Sequence, residues 1–187
     1  MNMYLRGFIP WIIFACFPSK DLPTAALVSL IVGAFLILQD IKRGTAADAL
    51  ILEGSTVGYF AVLTAAAHLD KTADLSHWSG VLAFSWLALT AWITLAVRHP
   101  FTLGIARKTT PEEYWNTPQF LHVNVVITLV WAIAFTVTAV AIAACYGAGF
   151  GAAGDYTCQA LGFAIPAIFT NRYPKIVQVR ALAAADA

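Results

Sequence analysis

The chain has 187 residues, of which 60% are hydrophobic and only 11% are charged. Soluble domains carry about 25% charged residues, so this composition excludes an ordinary soluble domain and indicates a protein that is dissolved in a bilayer. The formal net charge of +1 provides no basic field for binding nucleic acid.

The chain contains six apolar runs. The first, residues 7–17, is short and ends at Pro18. A helix needs about 20 residues to cross a bilayer, so this run either crosses a thinned region or re-enters. The second and sixth runs fall slightly short of a full span, and the other three reach it. The five later runs cover residues 24–39, 49–69, 79–97, 119–146 and 156–170.

The distribution of cations predicts the orientation of these helices. If all six runs cross, Lys20 and Lys71 lie on one side. The positive-inside rule places the other side, and both termini, in the cytoplasm. The sequence therefore predicts an all-α, polytopic transmembrane helix bundle, with residues 1–187 as a single integral membrane domain. The cations of the cytoplasmic side are Arg6, Lys42, Arg43, Arg98, Arg107, Lys108, Arg172, Lys175 and Arg180.

The third run carries an ionisable residue, Glu53, about one turn from its cytoplasmic end. Such a residue can relay protons or cations. The favoured interpretation is instead that it snorkels to the interface or pairs with Lys42, Arg43 or Arg98. Gly54 and Gly58 follow in a GxxxG pattern, which is typical of close helix packing within a protein or between protomers.

The cytoplasmic loop of residues 98–118 concentrates the polar chemistry of the chain. Its prolines prevent one continuous helix, and burying its charges in hydrocarbon would cost on the order of 3 kcal/mol each. The loop is therefore predicted to form short helices on the membrane surface. Arg98, Arg107, Lys108 and Trp115 are the candidates for contact with anionic lipid or a cytoplasmic partner.

Within this loop, Thr110 and Pro111 predict a helix start, as an N-cap and a first helical residue. Glu112 and Glu113 then fall in the first turn, where carboxylates favour the helix dipole. Adjacent residues of a helix point about 100° apart, so capping is favoured over a paired-carboxylate acid–base site.

The last two runs contain further polar and helix-breaking residues. Asn124 and Thr128 share one face of the fifth run and can bond to a neighbouring helix. Pro166 is predicted to kink the sixth helix. The histidines lie near span ends without ligand spacing, and the cysteines Cys16, Cys145 and Cys158 are interpreted as small apolar residues. No catalytic residue, cofactor or metal site is predicted.

Several short motifs occur in an order that resembles the bacterial intracellular septation protein A family and related small inner-membrane proteins. They are FIP at 8–10, DIK at 40–42, RHPF at 98–101, and the N-x6-W spacing from Asn124 to Trp131. The resemblance implies a multi-pass protein of the bacterial inner membrane that acts in cell division or envelope integrity through contacts. It supplies no catalytic residues.

The leading functional hypothesis is a non-enzymatic integral membrane protein that contacts membrane lipids, other membrane proteins or a second copy of itself. One alternative is a small transporter or channel that uses Glu53. Another is an accessory subunit of a larger photosynthetic or respiratory membrane complex. An enzyme acting on lipid at the loop is the least favoured, because the glutamates and histidines there lack a shared geometry.

Overall fold

The computed structural model describes residues 6–17, 21–69, 73–149 and 152–185. The structure is 87% helical, with no strand among the described residues, which confirms the all-α prediction. Four of the six predicted runs form helices that are long and apolar enough to cross a membrane. These helices are Leu22–Lys42, Ala47–Leu69, Ser79–Ala96 and Pro118–Gly147.

The chain divides into two compact units, Met1–Ser79 and Gly80–Ala187. In the first unit, the first apolar run forms a helix of only 8 residues, about 12 Å long. The helices of this unit are α1 (Ile9–Cys16), α2 (Leu22–Lys42), α3 (Ile51–Leu69) and α4 (Ala73–His77), and a 3₁₀ turn (Ala47–Leu50) precedes α3.

Helix α1 is packed firmly against its neighbours despite its length. The Trp11 ring stacks on Tyr59 with the ring centroids 4.9 Å apart, and its Nε1 donates a hydrogen bond of 3.0 Å to Thr56 Oγ1. On α2, a methyl group at Gly33 would lie 3.5 Å from Pro10 Cγ. The glycine therefore allows the first two helices to approach closely.

The second unit is built on two long helices. Its helices are α5 (Ser79–Ala96), α6 (Phe101–Arg107), α7 (Pro118–Gly147) and α8 (Ala152–Ala185), and a 3₁₀ turn (Glu112–Tyr114) lies between α6 and α7. Helix α8 runs for 34 residues through Pro166 and Pro174. The sixth predicted run is thus the interior of a longer helix, which is not among the four of spanning length and hydropathy.

The core of the second unit is aromatic. Phe84 of α5 and Phe163 of α8 lie 5.1 Å apart between ring centroids, and Trp131 and Phe135 of α7 lie 5.2 Å apart. The Trp131 Nε1 also donates to Thr170 Oγ1 at 2.9 Å. Because the indole has a partner, this tryptophan is accommodated in the core at little polar cost.

Large apolar side chains also cover the outer faces of the helices. Ile31, Val62 and Val140 are 59%, 59% and 65% exposed, and each belongs to a different helix of spanning length. Soluble proteins rarely expose apolar surface on this scale, whereas a bilayer solvates it. These helices are those of a membrane protein.

The predicted helix start at Thr110 was wrong. Pro111 precedes the 3₁₀ turn without a side-chain cap, and α7 begins at Pro118, where Thr117 Oγ1 accepts a 3.3 Å bond from Phe120 N. A residue before proline is disfavoured in the helical region, and Thr117 is extended, with ψ 141°. A helix begun at Pro111 would have to end within two turns.

Candidate functional site

The polar loop of residues 98–118 is fastened to α7 by its first turn. The helical residues Phe101, Leu103 and Ile105 are all buried. Between them, Thr102 Oγ1 donates to the Asn124 carbonyl at 3.1 Å and lies 2.8 Å from Thr128 Oγ1. Buried hydroxyls that are hydrogen-bonded to each other fix the position of a segment, so the loop starts from a rigid anchor.

Asn124 and Thr128 were predicted to face a neighbouring helix, and α6 packs against that face of α7. Thr128 contacts Thr102 through its hydroxyl, whereas Asn124 contributes its backbone carbonyl. The Asn124 side-chain amide instead donates to Phe120 O within α7, at 2.9 Å.

Beyond this anchor, the loop contains a cation–π contact between Arg107 and Trp115. The Arg107 guanidinium carbon lies 5.4 Å from the centroid of the Trp115 ring, a contact that contributes about 0.5–1 kcal/mol at exposed sites. Trp115 Nε1 donates to the Thr110 carbonyl at 2.8 Å, which holds the ring in place. Lys108 is half-buried, and Glu113 is exposed, as is Glu112 before it.

Arg98 begins the loop in an unusual backbone conformation. Its φ is 57°, in the left-handed region that costs other residues than glycine about 1–2 kcal/mol. The residue lies two positions beyond the end of α5, and the next amide, His99 N, donates to Thr94 O at 2.8 Å. Helix α2 ends in the same way, but there Gly44 takes the left-handed position, with φ 74°. An arginine therefore occupies a site that glycine would fill without strain.

A second polar site lies in the first unit. Glu53 is only 8% exposed, and one of its carboxylate oxygens lies 3.5 Å from where a methyl on Gly7 would sit. Glu53, Arg6 and Thr56 are among the residues that line a cavity of about 10 Å³, close to the smallest volume that holds one water. We call this the Glu53 pocket.

Next to this pocket is an ion-pair cluster that the sequence analysis missed. Asp40 Oδ2 lies 3.3 Å from Arg6 Nε, and Asp40 Oδ1 lies 3.6 Å from Arg43 Nη1. Arg6 Nη2 also donates to Gln39 Oε1 at 2.8 Å. Arg43, which was a predicted partner for Glu53, thus pairs with Asp40. Arg6 and Asp40 are 34 positions apart, and no local pattern links them.

The remaining predicted residues are spread over the molecule. Gly54 is exposed, and the nearest atom to a methyl placed on it would be Ile37 Cδ1, at 4.0 Å; Gly58 is half-buried. Pro166 is buried in α8, where its carbonyl accepts a 2.8 Å bond from Thr170 Oγ1. Across the described ranges, no three His, Cys, Asp or Glu side chains converge as metal ligands would.

Comparison with known proteins identifies no relative of this chain. No protein-family model matches the chain, and neither a curated protein nor a solved structure does. The resemblance to the septation protein A family stays a prediction, and function has to be inferred from the residues described above.

Proposed function

We propose that the chain is a non-enzymatic, multi-pass protein of the bacterial inner membrane that docks anionic lipid headgroups on its polar loop. In this role it would hold anionic lipids next to proteins of the cell envelope or of septation. The loop is the docking surface, and Arg98, Arg107 and Lys108 are its cations. Trp115 supports Arg107 and sits at headgroup level, as interfacial tryptophans do.

The distribution of cations supports a cytoplasmic loop and cytoplasmic termini. Cations occur in the Lys42–Arg43 turn and in the polar loop, and the positive-inside rule assigns both segments to the cytoplasm. Arg6 contacts Asp40 near the C-terminal end of α2, which supports grouping it with Lys42 and Arg43. We therefore assign the start of the first run to the cytoplasmic side.

The observation that carries the proposal is the strained backbone of Arg98. Two described helices, α2 and α7, are followed by a left-handed glycine, Gly44 or Gly149, whereas α5 is followed by a left-handed arginine. Strained residues of this kind cluster at functional sites. The guanidinium it presents belongs to the same loop as the Arg107–Trp115 pair. Arginine suits this role because its planar fork binds phosphate groups in a bidentate manner.

The proposal is tested by measuring lipid affinity. Native mass spectrometry of the detergent-solubilised protein, titrated with phosphatidylglycerol or phosphatidylcholine, counts the lipids that stay bound. Each cation near anionic lipid contributes about 1 kcal/mol. The double substitution Arg107→Gln/Lys108→Gln is therefore expected to weaken phosphatidylglycerol binding by about 2 kcal/mol, or roughly thirtyfold, and to leave phosphatidylcholine binding unchanged.

A matched control separates a docking surface from bulk charge. Arg172 and Lys175 are exposed on α8, and Arg172→Gln/Lys175→Gln removes the same two charges from elsewhere. This variant is expected to keep the wild-type preference for phosphatidylglycerol. Equal affinity of the loop variant and the wild type would contradict the proposal, as would equal losses in both double variants.

A second candidate function is transport of a proton or small cation through the Glu53 pocket. It is favoured by one observation, that a carboxylate at 8% exposure borders a water-sized cavity within a helix of spanning length. Ionisable residues in such positions commonly mark ion pathways. Here Glu53 would bind the ion, and the neighbouring Arg6–Asp40 pair would set the local charge.

Flux measurements distinguish this candidate from a docking protein. Proteoliposomes that contain the wild type should show proton or sodium flux above that of empty vesicles, and Glu53→Gln should abolish it. Asp21 is exposed at the start of α2, and Asp21→Asn is the control that should keep the flux. Absence of flux in the wild type for protons, sodium and potassium would remove transport of these ions.

A further inference from the structure

Two of the three cysteines meet across the hairpin of α7 and α8. Cys145 Sγ and Cys158 Sγ lie 3.9 Å apart, and both residues are half-buried free thiols. They are 13 positions apart in the sequence, so local chain geometry alone would not pair them. Cys16, in contrast, is exposed on α1.

The hairpin holds this pair in register from both sides. Toward the turn, Asp155 of α8 accepts a 3.1 Å bond from the Tyr146 hydroxyl and a 2.9 Å bond from Gln159 Nε2. Away from the turn, a methyl on Gly162 would lie 2.9 Å from Thr138 Cγ2. Helix α8 therefore cannot slide along α7 without losing contacts at both points, and the thiols stay opposite each other.

We propose that Cys145 and Cys158 are a redox-active dithiol that closes to a reversible intrachain disulfide. A disulfide bond is about 2.05 Å long, so the sulfurs have to approach by roughly 2 Å, which side-chain rotation can supply. Neither the pairing nor its chemistry depends on lipid docking. The disulfide would lock the α7–α8 hairpin at the end of α7 that is remote from the polar loop.

The reaction is a thiol–disulfide exchange with a disulfide-class oxidant. One cysteine, as its thiolate, attacks a sulfur of the oxidant, forms a mixed disulfide and releases one thiol. The second cysteine then attacks its neighbour's sulfur and displaces the other half of the oxidant. Two protein thiols and one oxidant disulfide thus become one protein disulfide and two oxidant thiols. Two electrons pass to the oxidant, and the two thiol protons end on its released thiols.

The test uses the full-length protein with Cys16→Ala, purified in detergent and treated with oxidised glutathione. The sample is then denatured in SDS with a polyethylene glycol maleimide, which adds one gel shift for each free thiol. The reduced protein should show two shifts and the oxidised protein none. Intact mass should fall by two hydrogens without a glutathione adduct, and dithiothreitol should restore both thiols.

The matched control moves one thiol by a single position. Ala144 is exposed on the same turn of α7, and Cys145→Ser/Ala144→Cys turns that sulfur about 100° away from α8. This variant, which should have the same gel-filtration profile, is expected to carry glutathione adducts or free thiols and to form no intrachain disulfide. The proposal is overturned if the Cys145–Cys158 protein keeps two alkylatable thiols, carries stable glutathione adducts or gives mainly crosslinked dimers. Equal disulfide yield in the control would also overturn it.

Discussion

The close approach of α7 and α8 at Gly162 can be tested by adding one methyl group. In Gly162→Ala the new carbon would lie 2.9 Å from Thr138 Cγ2 and 3.0 Å from Phe84 Cε1, and closer still to Thr138 Oγ1. Carbon atoms in contact are normally about 3.5–4.0 Å apart. Thr138 has only two favoured rotamers in a helix, which limits how far its side chain can turn aside. The helices must therefore separate, or Phe84 must shift.

The magnitude follows from two opposing terms. Overpacking of this kind costs up to about 3 kcal/mol, and replacing glycine by alanine within a helix returns about 1 kcal/mol. Gly162→Ala is thus expected to lower the free energy of unfolding by about 2 kcal/mol. Unfolding in mixed micelles of SDS and dodecylmaltoside, followed by tryptophan fluorescence, measures this change because Trp131 belongs to the same core.

Two further variants isolate the cause. Gly147 is helical, and a methyl group there would meet nothing within 4 Å, so Gly147→Ala is expected to gain about 0.5–1 kcal/mol. Thr138→Ala removes two of the three atoms that crowd the new methyl and leaves Phe84 Cε1, at 3.0 Å, so Gly162→Ala should cost under about 1 kcal/mol in that background. Equal stabilities of the Gly162→Ala and Gly147→Ala proteins would refute the reasoning, as would failure of Thr138→Ala to relieve the loss.

Three other predictions concern the loop and the ion-pair cluster. Arg98→Gly should make the protein about 0.5 kcal/mol more stable, since the cost of a left-handed arginine exceeds the entropic cost of glycine. The same variant should bind phosphatidylglycerol more weakly. A loss of stability, or an unchanged lipid titration, would contradict this prediction. Asp40→Asn should lower the free energy of unfolding by about 3 kcal/mol, because Arg6 loses its carboxylate partner. The control Asp21→Asn should change this free energy by under about 0.5 kcal/mol. Equal effects of the two substitutions in the micelle titration would argue against a stabilising buried pair. Trp115→Phe removes a hydrogen bond of about 1 kcal/mol and should speed amide exchange in the loop roughly fivefold; wild-type exchange rates would mean that the indole does not hold the loop.

The long helices were predictable because their length is visible in the apolar runs. The run at 79–97 became Ser79–Ala96, and the run at 119–146 became Pro118–Gly147. Neither run contains an Asp, Glu, Lys or Arg residue. Arg98 follows the first run, and Pro118 and Gly147 flank the second. The sixth run was harder, since α8 continues well beyond its apolar part, through Pro174 and several polar residues.

The helix start in the loop shows where local signals compete. The chain contains a threonine before a proline twice, at Thr110–Pro111 and at Thr117–Pro118. Both fit an N-cap, but only the second is followed by a long run without another proline. Because Pro118 disfavours helix at the residue before it, the second site limits any helix that begins at the first. The correct choice was therefore available from the sequence.

The polar contacts of the candidate sites were not available in this way. Arg6 and Asp40 meet because α1 begins beside the end of α2, and Cys145 meets Cys158 because α8 packs back against α7. Hydropathy records neither the rotation of a helix about its axis nor its register against a neighbour.

Lipid docking by the polar loop requires, above all, that the loop faces the cytoplasmic side of the membrane. Thr109 is exposed in this loop, and His77 is exposed at the end of α4, between two helices of spanning length. In a background with all three cysteines replaced by alanine, Thr109→Cys and His77→Cys are treated with a membrane-impermeant maleimide. The Thr109→Cys protein should be labelled only in inverted inner-membrane vesicles, and the His77→Cys protein only in spheroplasts. Labelling of both on the same side, or in the reverse pattern, would contradict the account.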